Sequence, residues 1–202
     1  MTNSSDILVV TAAGPVATLT MNRPAKRNAM CDELLEALEA FFSNPPEGVR
    51  AVILTGTAGH YCSGLDLSEH VSRDAEGTMR HSRNWHRVMD IIQFSGLPVV
   101  SAMFGAVSGG GLELATSIHV RIAEPSTIFQ LPEGMRGIFV GGGATVRVGR
   151  IIGSDRMCEM MLTGRKYNAE EGLALGLTHY SVGEGEAMAL APAAGARIAA
   201  TA

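Results

Sequence analysis

The stretch Gly105-Ala-Val-Ser-Gly-Gly-Gly-Leu-Glu-Leu114 follows directly on the apolar run Leu97–Met103. A short, continuous apolar run reads as a buried strand. Three glycines at the junction with the next helix let a ligand approach the backbone and leave N-terminal amides pointing outward. Such amides favour negative charge. If Gly110 opens the helix, Glu113 lies about one turn further on, near the same mouth. An oxyanion donor and a carboxylate would then share one site. The alternative reading is that the glycines merely permit close helix–strand packing, with Glu113 a first-turn partner of the helix dipole.

Working outward, the same alternation recurs on both sides. Ile7–Val10 and Val16–Met21 are β-prone runs separated by Thr11–Pro15, a hairpin pattern. Met30–Phe42 reads as a helix with Leu34, Leu38, Phe41 and Phe42 on one face, stopped at Asn44–Gly48. Ala51–Leu54 is a second buried strand, and Thr78–Phe94 a second helix with Trp85, Val88, Met89 and Ile92 as its apolar side. Beyond Leu114, strand-like Val120–Ala123 and Thr127–Leu131 precede a glycine-rich turn at Gly141–Gly143, which opens a helix to about Ile152. Ser154 is placed to cap a helix closed by Gly164, and Asn168 with Glu171 forms a capping-box pattern closed by Gly176. Repeated strand–loop–helix units predict an α/β fold. Residues 1–183 read as one core. Residues 184–202 read as an alanine-rich tail in which Pro192 and Gly195 interrupt a weak helical pattern, expected to fray or to need a partner.

Two further segments carry candidate chemistry. Gly59-His-Tyr-Cys-Ser-Gly-Leu-Asp-Leu67 follows the strand Ala51–Leu54, and a sharp turn at Gly64 would expose the Leu65 amide. Phe129-Gln-Leu-Pro-Glu133 puts a carboxylate just past a strand end, behind a proline. Rigid support suits a catalytic group, while a solvated loop acid is the plainer reading of one glutamate. No Gly-Lys-Ser/Thr follows the glycines and their spacing is not GxGxxG, which excludes both nucleotide motifs. Ser63 and Ser108 both miss the GxSxG elbow. Six histidines are scattered without HExxH, and no metal site is expected. Arg80, Arg83 and Arg87 share a helical face that reads as solvated or as a subunit contact rather than a phosphate site.

With 202 residues, 46% of them apolar and 18% charged, the chain has the composition of one soluble globular domain. A formal charge of −4 gives no general reason to bind nucleic acid or an anionic membrane. Cys31, Cys62 and Cys158 are odd in number and widely spaced, which points to reduced thiols. No basic, apolar leader opens the sequence, and no run of about 18 apolar residues would span a bilayer. A cytoplasmic location is expected.

In order, these segments resemble the enoyl-CoA hydratase/isomerase (crotonase) superfamily. Asn22-Arg-Pro-Ala-Lys-Arg-Asn-Ala-Met30 is similar to its NRPxxxNAx signature and His60–Leu67 to its FxAGxDL loop. Gly105–Leu114 resembles NGxxxGGGxEL, and Leu131–Arg147 resembles PExxxGxxPGxGGTxR. The match runs from about Ile7 to Gly176. Phe104 stands where Asn is usual, Ser108 where a larger apolar residue is common, Ile118-His119 where a Cys-Asp-type pair is found, and Val140 where the turn has proline.

The resemblance implies a spiral of ββα units, with the usual C-terminal helical segment largely absent. It implies an oxyanion hole at the Leu65 and Gly110 amides and two catalytic glutamates, Glu113 and Glu133. Isomerases of the superfamily commonly keep only the second, so the pair points to hydration. It further implies acyl-CoA contacts at Lys26, Arg27, Ala29, Ser63, Gly64, Leu65, Asp66, Leu67, Gly109, Gly110, Pro132 and Gly141. CoA comes with the substrate, and no separate cofactor is implied. The implied assembly is a trimer or dimer of trimers, weakened by the short C-terminus. The implied setting is fatty-acid metabolism. Isomerase or other acyl-CoA enolate chemistry is the nearest alternative, and a non-catalytic acyl-CoA-binding homologue the more distant one.

Overall fold

The computed structural model describes residues 7–68 and 74–201. Two strands open it, β1 (Leu8–Ala13) and β2 (Val16–Met21), paired antiparallel with Ala13 opposite Val16. That register leaves only Gly14-Pro15 for the turn, and Gly14 takes φ +61°, a conformation costly for any residue with a Cβ. Next come α1 (Asp32–Ser43), β3 (Ala51–Gly56), α2 (Ala75–Phe94), β4 (Val99–Met103), β5 (Ala106–Ser108), α3 (Gly110–Thr116), β6 (Val120–Ala123) and β7 (Ile128–Gln130). The chain continues through α4 (Ala144–Ile152), α5 (Ser154–Thr163), β8 (Lys166–Asn168), α6 (Ala169–Leu175), β9 (Tyr180–Ser181) and α7 (Ala187–Ala199).

Nine strands form two sheets among the described residues. The larger has the order β1-β2-β3-β4-β6-β9 and is parallel except for the β1–β2 hairpin. The smaller, β5-β7-β8, pairs β5 with β7 in parallel and β7 with β8 antiparallel. A parallel sheet needs both faces covered, and the sequence of β3 obeys that rule: every residue of Ala51–Gly56 is buried. Alternate residues then face two cores. Val52 and Leu54 join the main core with Leu34, Leu38, Val88, Met89 and Ile92 from α1 and α2, while Ala51 and Ile53 join a second core with Val100, Ala102 and Ile122. Burying each of the valine, leucine, isoleucine and methionine side chains among them stabilises the fold by about 2 kcal/mol.

What covers the second face is α7, and here the structure departs from the sequence expectation of a frayed tail. Ala187, Ala191, Gly195 and Ala199 are buried against Val16, Ile53, Val100 and Ala102. The expectation weighed side-chain bulk, but fit matters more at this face. Small residues let the helix backbone lie close on the sheet: a Cβ on Gly195 would meet Val16 Cγ1 at 3.2 Å. The buried Glu124 carboxylate accepts the Ala187 N–H at 3.1 Å and so closes the helix N-terminus. Pro192 is accommodated within the helix.

Smaller departures have local causes. Ser154 begins α5 rather than capping it; Gly153, at φ +87°, holds the cap position, so no side chain caps this helix. The capping box is present as read, with Glu171 N–H to Asn168 Oδ1 and Asn168 N–H to Glu171 Oε2 both at 2.9 Å. α2 begins at Ala75, three residues before its expected start, where Asp74 accepts the Gly77 N–H at 2.7 Å.

Candidate active site

β4 delivers the chain to β5, and β5 delivers it to the glycines. Gly109 takes φ +54° and ψ −125°, a geometry open essentially to glycine alone, and α3 begins at Gly110. Its first turn is buried throughout. Gly110 has no room for a side chain, since a Cβ would lie 2.5 Å from Trp85 Cζ3. The loop after β3 lies alongside, bridged to β5 through Cys62 and Val107 and to the segment after β2 through Met30 and Leu65. A Cβ on Gly64 would fall 3.2 Å from the Gly110 nitrogen, so the Leu65 and Gly110 segments are close neighbours. Neither the Leu65 nor the Gly110 N–H has an acceptor among the described residues.

Leu65, Gly110, Glu113 and Glu133 all line one cavity of about 440 Å³. α2 contributes Thr78, His81, Ser82, Trp85 and His86 to its wall, and the segment before α4 contributes Ile138, Phe139, Val140, Gly141 and Gly142. A larger and more open depression, about 800 Å³, lies on the outer side of α2 and touches neither glutamate.

The two carboxylates differ in their surroundings. Glu113 is 2% exposed, and its Oε1 accepts the Gly142 N–H at 2.8 Å and the Ala144 N–H at 3.0 Å. Burial raises its pKa, opposed by those two amides and by the nearby His86 and Arg147. Arg147 holds the donor loop, reaching the Gly142 carbonyl at 3.3 Å while it donates to Gln93 and pairs with Asp90 on α2. Glu133 is 7% exposed and follows β7 at the start of a 3₁₀ turn, Gly134–Arg136. Its Oε2 is buried without a hydrogen-bond partner. Burial pushes its pKa up to about 7, with the Glu113 charge adding to the rise.

Of the residues implied for acyl-CoA contact, Leu65, Gly110 and Gly141 line this cavity, while Lys26, Arg27, Ala29, Ser63, Gly64, Asp66 and Leu67 belong to the two segments that meet at Leu65. Ser63 donates to the Arg27 carbonyl through its amide and to the Lys26 carbonyl through its hydroxyl, both at 3.1 Å. Met30 N–H binds the Gly64 carbonyl at 2.7 Å and Asp66 N–H binds the Met30 carbonyl at 2.9 Å, bracketing Leu65. Arg23 ties the two segments together, donating to the Ala29 carbonyl at 2.5 Å and to Asp66 at 2.8 Å. Hydrogen bonds from Ser68, with Arg23 and Lys26 adding, hold the buried Asp66 down at about 2. Lys26 reaches Asp66 at 3.6 Å, and Leu67 is exposed. Gly109 and Pro132 lie against Glu133, and Gly141 lines the cavity itself. The Arg80 and Arg87 face is a surface face: Arg80 pairs with Glu76 and Arg87 with Glu39 of α1.

Sequence reading missed the Gly142 and Ala144 amides, the Arg147 strut and the α2 wall. Only the glycine run Gly141–Gly143 hinted at the first. Among the described residues no cluster of His, Cys, Asp or Glu could hold a metal ion, and no helix is long and apolar enough to cross a membrane.

The two-sheet α/β architecture, with a glycine-led helix beneath a bridged loop, is that of the crotonase fold. The chain belongs to the enoyl-CoA hydratase/isomerase family, whose profile matches residues 11–201. It is 35% identical over 191 residues to the human mitochondrial enoyl-CoA hydratase domain-containing protein 2, covering 90% of this chain and 64% of that one. A Rhodopseudomonas palustris structure, provisionally assigned as an enoyl-CoA hydratase, matches at TM-score 0.95 and 49% identity over 100% of this chain and 78% of that one. A Thermobifida fusca structure of the same provisional assignment, in complex with CoA, matches at TM-score 0.89 and 26% identity over 96% and 79%. The chain spans about two thirds of the length of the first curated relatives it matches.

Proposed function

We propose that the protein hydrates the 2,3-double bond of an enoyl-CoA thioester, with Leu65 and Gly110 as oxyanion donors and Glu113 and Glu133 as the acid/base pair. One observation carries the reading: two buried glutamates, one held by two amides and the other with an unpartnered oxygen, line the same cavity as two amides without acceptors among the described residues. Attack of water at Cβ builds negative charge on the thioester oxygen, and two preorganised N–H donors stabilise it, each worth about 3 kcal/mol. Glu113, held by the Gly142 and Ala144 amides, is the base toward water. Its carboxylate takes one proton while hydroxide bonds to Cβ and the π electrons move onto the carbonyl oxygen. Glu133, poised near neutral pH, gives its proton to Cα as the enolate collapses. The proton on Glu113 then returns to Glu133, so that one water is consumed and neither carboxyl changes over a turnover.

The CoA moiety lies on this reading along Lys26, Arg27, Ala29 and Ser63–Leu67, in the two segments that meet at Leu65. The CoA complex of the Thermobifida fusca relative supports an acyl-CoA ligand. Isomerisation is the second reading, because Glu133 alone could carry a proton between Cα and Cγ. Crotonyl-CoA hydration and solvent exchange of the α-proton, measured together, decide between them. Glu133→Gln should abolish both by on the order of a hundredfold or more, and Glu113→Gln should suppress hydration more than exchange. Small, equal effects of the two changes would remove both carboxylates from the chemistry.

A further inference from the structure

We infer that Trp85 is a positioning residue whose indole edge sets two backbone amides at once, that of Gly110 and that of Gly142, which holds Glu113. The inference rests on the reading above for the roles of Gly110 and Glu113. It comes from the two glycines. Neither Gly110 nor Gly142 takes a positive φ, so backbone conformation does not reserve either position for glycine. Their neighbours do. A Cβ on Gly110 would lie 2.5 Å from Trp85 Cζ3 and 2.9 Å from Cη2. A Cβ on Gly142 would crowd Glu113 and lie 3.2 Å from Trp85 Cε3. Cε3, Cζ3 and Cη2 are consecutive atoms along the outer edge of the six-membered ring. One edge therefore rests against both backbones, the first turn of α3 and the loop that enters α4.

The ring is built to hold its place. It is buried, belongs to the main core with Val88, Met89 and Ile92 of α2, and lines the cavity beside Gly110 and Glu113. An indole is flat and rigid, so its edge moves little once packed. Its Nε1 is buried without a hydrogen-bond partner and sits on the five-membered ring, away from the edge that meets the glycines. What Trp85 supplies to them is shape rather than a hydrogen bond. Phenylalanine would fill core space without burying an unpaired N–H, but it has no atom at Cζ3 or Cη2. The Gly142 N–H meets Glu113 Oε1 at 2.8 Å, and Gly110 opens the helix that carries Glu113. A shift of the indole thus moves the oxyanion donor and the clamp on the base together. A misplacement of about 1 Å at such groups costs on the order of a hundredfold in rate.

Trp85 is the one tryptophan of the chain, so expression on a ring-fluorinated tryptophan alters this residue alone. 4-Fluorotryptophan carries its fluorine on Cε3, toward Gly142, and 5-fluorotryptophan on Cζ3, toward Gly110. 7-Fluorotryptophan carries it on Cζ2, which is not among the atoms nearest either glycine. Two readouts need no turnover. The carbonyl stretch of bound butanoyl-CoA reports the Gly110 donor, and the NMR titration of isotope-labelled Glu113, assigned against Glu113→Gln, reports the Gly142 amide. The 5-fluoro form should move the stretch toward its value in solution. The 4-fluoro form should raise the Glu113 titration, because a displaced amide opposes burial less. The 7-fluoro form should match the parent in both. His86 of α2, Arg147 of α4 and Glu133 beyond β7 also act on or face Glu113, yet none of them changes in these proteins. Trp85→Phe should move both readouts and lower kcat for crotonyl-CoA by on the order of tenfold. Parent values in the 4-fluoro and 5-fluoro forms, or equal shifts in the 7-fluoro form, overturn the inference. So does a Trp85→Phe protein that melts lower yet keeps both readouts, since Trp85 then serves the core alone. A parent whose bound thioester keeps its solution frequency overturns the oxyanion reading and this inference with it. A parent that shows the expected fluorine pattern yet hydrates nothing overturns the hydratase reading and leaves this inference standing.

Discussion

Glu113 and Glu133 share one cavity, yet one is clamped and the other is not. Glu113 sits on α3 with two amides from the α4 entry loop on its Oε1. Glu133 sits on a loop beyond β7, with one oxygen buried and unpartnered. Both are desolvated, so burial alone does not separate them; the amides do. The two amides on Glu113 oppose the rise that burial causes, whereas Glu133 sets only its own backbone N–H and the Arg136 charge against burial and the Glu113 charge. The comparison shows how one fold gives the same residue type two different hydrogen-bonding environments within one cavity.

The largest effect should come from a methyl group aimed at each carboxylate in turn. A Cβ on Gly142 would lie 2.7 Å from Glu113 Oε2, and a Cβ on Gly109 would lie 2.6 Å from Glu133 Oε1. On the proposed roles, Gly142→Ala should lower hydration by on the order of a thousandfold while sparing α-proton exchange, because it crowds Glu113 and not Glu133. Gly109→Ala should lower both, with added backbone strain at its positive φ. Hydration and exchange rates for the two variants, measured side by side, check this. Identical profiles would mean that the two carboxylates do not divide the labour.

A smaller effect concerns stability against pH. The folded-state pKa of Glu133 is raised to about 7 from 4.5, so the native state binds its proton more tightly than the unfolded chain does. Its contribution is fully present below about pH 4.5 and is lost as pH rises through about 7. Glu133→Gln removes that loss. The variant should match the parent near pH 4.5 and exceed it above pH 7.5 by on the order of 2–3 kcal/mol, read from urea unfolding at both pH values. Glu113→Gln should gain less, since the two amides on its Oε1 already offset part of the rise that burial causes.

The frame that holds this contrast was legible where sequence pattern is strongest. β3 and β4 announce themselves as continuous apolar runs, and Gly105–Leu114 announces a glycine-led helix bearing Glu113. β5 and β8, three residues each, fall below any usable period. The clamp on Glu113 was illegible because it joins positions 29 and 31 residues apart through backbone amides, which carry no side-chain signature. Trp85 was read as an apolar face residue, and it does pack in the core, yet the same stripe of α2 also walls the cavity. The α7 tail was misjudged because its value lies in small residues meeting a bare sheet face, which depends on the partner surface rather than on its own sequence.

A third place sharpens the distinction between held and unheld groups, with the smallest expected effect. The segment that carries the Leu65 amide is held from outside by Arg23, which bridges the Ala29 carbonyl and the Asp66 carboxylate. Asp66 is 4% exposed and lies at about 2, below its ordinary 3.8, so it contributes stability above about pH 4 that is lost as pH falls through about 2. Asp66→Asn removes the charge while keeping an acceptor for Ser68. It should cost about 1–2 kcal/mol at pH 7 and almost nothing near pH 2, where the parent has lost the same interaction. If the ion pair also fixes the Leu65 N–H, the carbonyl stretch of a bound enoyl thioester should move toward its value in solution. Arg23→Lys, which keeps the charge but cannot span both acceptors in the same fork, should shift the stretch in the same direction. A stability loss with an unchanged carbonyl frequency would assign the Arg23–Asp66 pair to folding alone and leave the Leu65 amide positioned by its Met30 bracket.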